Sequence, residues 1–193
     1  MVAVHPDRPR LVHNFCSLPR FRKGAQITIS TFGARYYFRS FIMGWQKTFT
    51  LDRRAKGCHL ITDDVLSQIR PGLQDVQVGM LFLFVKHTSC ALTINENWDP
   101  DVRRDMDMAL DSVVPESLNW RHTDEGPDDS VSHTKSSLVG STVSMPITNG
   151  ALNLGTWQGI YLTEFRHLAH TRTVVATILI RVPILCVLLE SFE

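Results

Sequence analysis

The chain lacks an uninterrupted apolar run of about twenty residues, the length a helix needs to cross a bilayer. Its strongest candidate, Thr173 to Leu189, is interrupted by Arg181 and Pro183 and so reads as buried strand, with no membrane partner implied. Paired cysteines are also missing. Cys16, Cys58, Cys90 and Cys186 stand alone without a CxxC spacing, which argues against a zinc ribbon or a disulfide framework and makes a reducing compartment the default. A basic surplus on the folded part is absent too. The net charge of +1 splits into a leader, residues 1–44, with seven Arg and Lys against one Asp, and a remainder with thirteen basic against eighteen acidic residues. A mildly acidic domain has no footprint for nucleic acid. Neither an internal repeat nor a low-complexity tract is visible.

What remains is 193 residues, 44% hydrophobic, enough to bury one substantial core. The leader has no apolar signal core. Arg8, Arg10, Arg20, Arg22, Lys23, Arg35 and Arg39 give it the composition of a mitochondrial presequence, against a cytoplasmic default and a disordered extension as the plainer account. Its apolar residues, among them Tyr36, Phe38 and Phe41, could equally pack on the domain.

From Gln46 the pattern is strand-like. Thr62, followed by Asp63 and Asp64, is expected to cap a short helix ending near Arg70, where Pro71 and Gly72 stop it. Gly79 to His87 is a continuous apolar run of strand length, expected to be buried on both faces, with His87 where the strand emerges. Asp99-Pro100 opens a helix to about Val114, and Val102, Met106, Leu110 and Val113 recur at helical spacing. Residues 115–132 read as a long polar loop, a placement more often functional than incidental. Strands at Ser141 to Ile147 and Leu152 to Leu154 flank the hairpin signal Asn149-Gly150, and two more follow at Gly159 to Phe165 and Thr173 to Ile180. Strands dominate, so the expected class is α+β, with a mainly antiparallel layered sheet and a few short helices.

Imidazole, carboxylate, amide and hydroxyl groups are concentrated between His87 and Ser137. His87, His122 and His133 match no compact ligand spacing, yet three histidines that leave a position open for water are a common catalytic metal set. Each taken singly reads as a surface or hydrogen-bonded residue. Acidic neighbours Asp124, Glu125, Asp128 and Asp129 could orient the imidazoles or act as bases. Asn95 and Glu96 sit before the Asp99 helix start, where a polar turn alone would explain them. Lys135 and Ser136 offer a cation and a hydroxyl suited to phosphate. Trp157, between Gly155 and Gly159, is placed either to stack on a flat ring or to fill core. Glu164 and Arg166, two apart on a strand, share a face, as a phosphate grip with a proton-transfer group or as a simple salt bridge.

The strings HTSCALTINENWDPDV, RHTDEGPDDSVSHTKSSLVGSTVSMPI and NGALNLGTWQGIYLTEFR together resemble the YjbQ family, over roughly residues 46–181. The resemblance implies an α+β domain over 45–181, flanked by the 1–44 extension and an atypical apolar tail at 182–193. It also implies a homotrimer and a histidine site for a divalent metal, zinc or magnesium. The implied activity is that of a thiamine-phosphate synthase, joining a pyrimidine diphosphate to a thiazole phosphate with release of pyrophosphate. On this chain the family's polar positions give metal ligands His87, His122 and His133. Glu96, Glu125 and Arg166 then carry the chemistry, while Asn95, Lys135, Ser136, Trp157 and Glu164 bind the small phosphorylated substrate. Family members often carry Glu-His-Arg where this chain has Glu164-Phe165-Arg166, which removes one potential ligand. A noncatalytic trimeric module that binds a phosphorylated ligand, or a metal-dependent phosphohydrolase, would need the same pocket.

Overall fold

A computed structural model describes the backbone of residues 28–31 and 34–189 and the side chains of residues 42–180. The first 27 residues of the leader, with most of its basic side chains, lie outside the described residues. Two compact units divide the chain, Met1–Arg39 with Leu185–Glu193, and Ser40–Ile184. In the first, strand β1 (Thr28–Thr31) pairs antiparallel with the start of β2 (Ala34–Arg54), Thr28 opposite Tyr37. The boundaries expected at 44/45 and 181/182 fall inside strands, β2 and β9 (His170–Leu189) respectively.

The second unit is α+β. Its larger sheet orders β2, β9, β4 (Val78–Val85), β6 (Thr142–Thr148) and β7 (Ala151–Leu152), and β4 pairs antiparallel with both neighbours. A three-stranded antiparallel sheet, β3 (Gly57–Leu60), β8 (Gln158–Glu164) and β5 (Cys90–Glu96), lies in a second layer. The core between them combines Phe49 and Leu51 of β2, Leu81, Leu83 and Val85 of β4, Leu92 of β5, Met145 and Ile147 of β6, Ile160 and Leu162 of β8, and Val174, Ala176 and Ile178 of β9. The period-2 alternation of each strand sends these residues to one face.

Three helices complete the unit: α1 (Thr62–Leu73), α2 (Pro100–Val113) and α3 (Asp129–Val139). The start of α2 is as expected, with the Asp99 carboxylate accepting from the Asp101 N–H at 2.8 Å and Pro100 in the first turn. Its apolar stripe is a poorer guide, since no residue of α2 is fully buried and Val113 is exposed. The hairpin signal also holds, because Asn149 (φ 50°) and Gly150 (φ 75°) take the left-handed conformation that a two-residue turn demands.

Four expectations are corrected. Thr62 does not cap α1: its hydroxyl accepts from the Ile160 N–H at 2.9 Å and ties the helix to β8. Pro71-Gly72 does not end the helix, which runs on to Leu73, and Gly72 lets the Trp45 ring lie directly on its backbone. The 79–87 run is buried on one face only, for Met80, Phe84 and Leu179 of the neighbouring strand are exposed, while the doubly buried strand is β8, with Gly159 to Glu164 all buried. The long loop stops at Asp128, and the segment after it is helical.

Gly72→Ala tests the Trp45 contact. In an ordinary helix this exchange stabilises, but here the added Cβ would come within 2.4 Å of the indole. A loss of about 1–3 kcal/mol in chemical unfolding is expected, and a gain would remove the contact from the account.

Candidate functional site

The site is built where β4 and β5 approach α3 and the turn after β8. Asp129, at the first turn of α3, is 1% exposed. Its Oδ1 lies 3.1 Å from His133 Nε2 and its Oδ2 3.3 Å from His122 Nε2. The two imidazoles stack with centroids 5.5 Å apart and planes inclined by 28°. One donor atom from each of His122, Asp129 and His133 falls within 4.8 Å of the other two, the spacing of a cation cradle.

Helical geometry explains part of this. Asp129 and His133 are four residues apart and so share a face of α3, while His122 arrives from the loop. That loop is held by Arg166, whose Nη1 meets Glu125 Oε2 at 2.8 Å and Asp129 Oδ1 at 3.2 Å, and whose Nε meets Asp128 Oδ2 at 3.1 Å. The Glu125 N–H donates to Asp129 Oδ2 at 3.1 Å, so both oxygens of the central carboxylate are fixed. Burial alone would raise the Asp128 carboxyl, but the His167 backbone N–H and Arg166 outweigh it and hold the group below 3.8.

The protons of His133 can be placed. Its Nδ1 lies 2.9 Å from the Thr88 carbonyl oxygen, which can only accept, so Nδ1 carries a proton and donates it there. In the neutral ring Nε2 is then a lone pair facing the Asp129 carboxylate. A lone pair opposed to an anion is unfavourable unless a proton or a metal ion lies between them, and a carbonyl-anchored Nδ1–H is the usual support of a ligating histidine.

A cavity of about 520 Å³ opens on this cluster, and its lining includes Lys86, His87, Glu125, Arg166, His170 and Arg172. A second, of about 500 Å³, shares His87, Thr88 and His133 with it and adds the hydroxyl-bearing Ser136, Ser137 and Ser141.

Of the residues expected at a site, His122, His133, Glu125 and Arg166 meet here. His87 lines the cavity but is not in the cradle, where Asp129 stands instead: its Nε2 is engaged by the Thr173 N–H at 2.8 Å. Ser136 lines the second cavity and donates to the Cys90 carbonyl at 2.7 Å. Glu164, 0% exposed, pairs with Arg172 at 2.6 Å rather than with Arg166. Lys135 is buried against Asp111, whose second oxygen meets Lys56, so its charge is spent inside the protein.

Asn95 and Glu96 sit at the far end of β5 from Ser89 and Cys90, some 20 Å away at the rise of an extended strand. There Glu96 accepts from the Trp98 and Asp99 N–H groups as a turn support. Trp157 is at that end too, 58% exposed and edge-on to Trp98 at 6.1 Å. Burial pushes the Cys58 thiol up to about 11 and Cys90 to about 12, so neither is a thiolate nucleophile at neutral pH.

The family model described as UPF0047 protein YjbQ-like matches residues 47–181. The chain belongs to the YjbQ family. It is 43% identical to the UPF0047 protein YjbQ of Escherichia coli O157:H7 over 136 residues, which cover 70% of this chain and 98% of that protein. It is 37% identical to UPF0047 protein sll1880 of Synechocystis over 131 residues, 67% of this chain and 88% of the relative. Among solved structures, an uncharacterized conserved YjbQ/UPF0047 protein of Clostridium acetobutylicum aligns with a TM-score of 0.53 at 36% identity, covering 74% of this chain and 99% of its own. A YbjQ-like protein of unknown function from Sulfolobus solfataricus aligns with a TM-score of 0.64 at 21% identity over 72% of this chain and 99% of its own, a likeness of fold alone. Among the described residues no helix is long and apolar enough to cross a membrane.

Asp128 makes the site's stability depend on pH. Because its folded carboxyl lies below its ordinary value, its contribution is present above about pH 4 and is lost as pH falls through the folded value. Asp128→Asn should therefore unfold about 1.5–3 kcal/mol more easily at pH 7, the worth of a hydrogen bond to a charged group. The gap from the wild type, read by denaturant titration, should shrink on acidification below pH 4. A gap that widens there would contradict the pairing.

Proposed function

We propose that this YjbQ protein is an enzyme that holds a divalent metal ion on His122, Asp129 and His133 and acts on a small phosphorylated substrate. The observation that carries the reading is the His133 ring, whose Nδ1 is committed to Thr88 while Nε2 faces Asp129. Two imidazoles and a carboxylate are the donor set of several catalytic zinc sites, and they leave a position open. Magnesium prefers oxygen donors and retained water, so the nitrogen content favours zinc or a similar transition metal. Such an ion, when bound, polarises a phosphoryl oxygen or activates water.

The chain's own groups have separable tasks. Arg166 fixes Asp129 and Glu125. Glu125, a largely exposed carboxylate at the cavity, is positioned to take up or return a proton, and Lys86 supplies positive charge at the wall. A cationic wall is what the release of pyrophosphate needs, because negative charge grows on the departing group. The synthase reaction that the resemblance implies, a pyrimidine diphosphate joined to a thiazole phosphate, is the transfer we assign to this cavity. For assembly we propose the homotrimer, supported by the open apolar face formed by Val78, Met80, Phe84 and Leu179.

Elemental analysis of the purified protein should find about one transition-metal ion per chain, and His122→Ala with His133→Ala should remove it. Pyrophosphate release from the two thiamine precursors should stop with a chelator and return with the metal. Unchanged metal content in the double variant rejects the ligand assignment, and full turnover in chelator rejects metal dependence.

A further inference from the structure

The cavity holds a second feature that the metal cradle does not use. Arg172, 5% exposed, meets the buried Glu164 twice at 2.6 Å, through Nε to Oε2 and through Nη2 to Oε1. Its Nη1 is left over. That nitrogen points at His87 Nδ1 from 3.5 Å, while on the other side of the ring Nε2 lies 2.8 Å from the Thr173 N–H. Both contacts cannot be hydrogen bonds to one neutral imidazole, which has a single lone pair. The shorter contact takes it, so Nδ1 carries the proton. Two donors, His87 Nδ1–H and Arg172 Nη1–H, therefore face each other 3.5 Å apart at the cavity wall, with no acceptor between them among the described residues.

Burial and the adjacent Arg172 hold the His87 imidazole below its ordinary 6.5, in keeping with a neutral ring. Two donors that oppose each other at a cavity wall are relieved when one anionic oxygen accepts from both. Glu164 fixes the guanidinium plane in advance, so little side-chain entropy would be lost on capture. Lys86, which also lines the cavity, adds positive charge.

We propose that His87 Nδ1 and Arg172 Nη1 form an anion subsite, separate from the His122, Asp129 and His133 cradle, that takes a phosphoryl oxygen of the substrate. The inference rests on the phosphorylated-substrate reading and says where the phosphate sits. A cavity of about 520 Å³ has room for a diphosphate beside the cradle.

The test is calorimetric titration of the full chain, stripped of metal by chelation, with inorganic pyrophosphate. Saturable binding is expected. It should weaken about tenfold or more in Arg172→Lys and in His87→Ala, as the loss of one charge-assisted hydrogen bond implies, and change little in Asp63→Asn, an exposed exchange on α1. In the wild type the His87 Nδ1–H resonance should move on titration, which decides the matter even if Arg172→Lys does not fold. Absence of saturable binding, equal affinity in His87→Ala, or a His87 resonance that stays put at saturation would each overturn the subsite. Anion binding retained in a chain that never takes up metal would support the subsite and sink the metal assignment alone.

Discussion

The buried guanidinium of Arg166 is the interaction on which the site depends. Charges withdrawn from water are tolerable only when they satisfy one another, and here one cation engages three carboxylates, those of Glu125, Asp128 and Asp129. Each belongs to a different requirement. Glu125 brings in the loop that carries His122, Asp128 receives the backbone N–H of His167 at 2.7 Å and so fixes the turn after β8, and Asp129 is the centre of the cradle. Removing the cation would leave buried carboxylates facing each other, and both loop and helix start would have to move.

A second pair repeats this logic one strand away. Glu164 ends β8 fully buried and Arg172 lies just inside β9. Because Glu164 also accepts from the Phe165 and Arg166 N–H groups, at 3.0 and 3.1 Å, it sets the backbone from which Arg166 departs. The two ion pairs are thus joined through a turn of three residues. Five ionised side chains, Asp128, Asp129, Glu164, Arg166 and Arg172, are buried within a short stretch of fold, at a desolvation cost that a purely structural core would avoid with apolar residues of similar volume.

The parts of the fold legible in the sequence are those where one local rule acts alone. Asp99-Pro100 marked a helix start because a capping carboxylate and a fixed φ need nothing from the rest of the chain, and Asn149-Gly150 marked a turn for a similar reason. Helix α3 was hidden because its buried face is polar. Asp129, Ser132, Lys135 and Ser136 point inward, with Ser132 donating to the Phe165 carbonyl at 3.0 Å, so the apolar period that announces a helix is missing. The same helix decides the cradle. Without it, Asp129 is one acid among several in a loop, and His87, prominent at a strand end, takes its place among the expected ligands. Asn95 and Glu96, given by the family resemblance, lie at the other end of β5, because an extended strand turns six residues into some 20 Å. Arg172 gave no signal, since its partner Glu164 is eight residues away across a turn.

The cavity also sorts its charges. The acids that reach it, Glu125 and Asp129, stand with Arg166 beside the imidazoles of His122 and His133. Lys86 and Arg172 are the cations beside His87, and the carboxylate partner of Arg172, Glu164, lies behind it and takes Nε and Nη2 rather than Nη1. A pocket serving only as a structural void would favour acids and bases paired throughout, leaving no directional donors over. Instead the His133 Nε2 and the Asp129 carboxylate face each other in one part of the lining, and the N–H groups of His87 and Arg172 face each other in another. A metal ion and a phosphate are oppositely charged ligands that bind each other, so placing their complementary groups in one cavity lowers the cost of bringing the two together. That pairing of opposed groups, rather than any single histidine, is what distinguishes this cavity from the Lys56, Asp111 and Lys135 cluster, where each charge has found its partner within the protein.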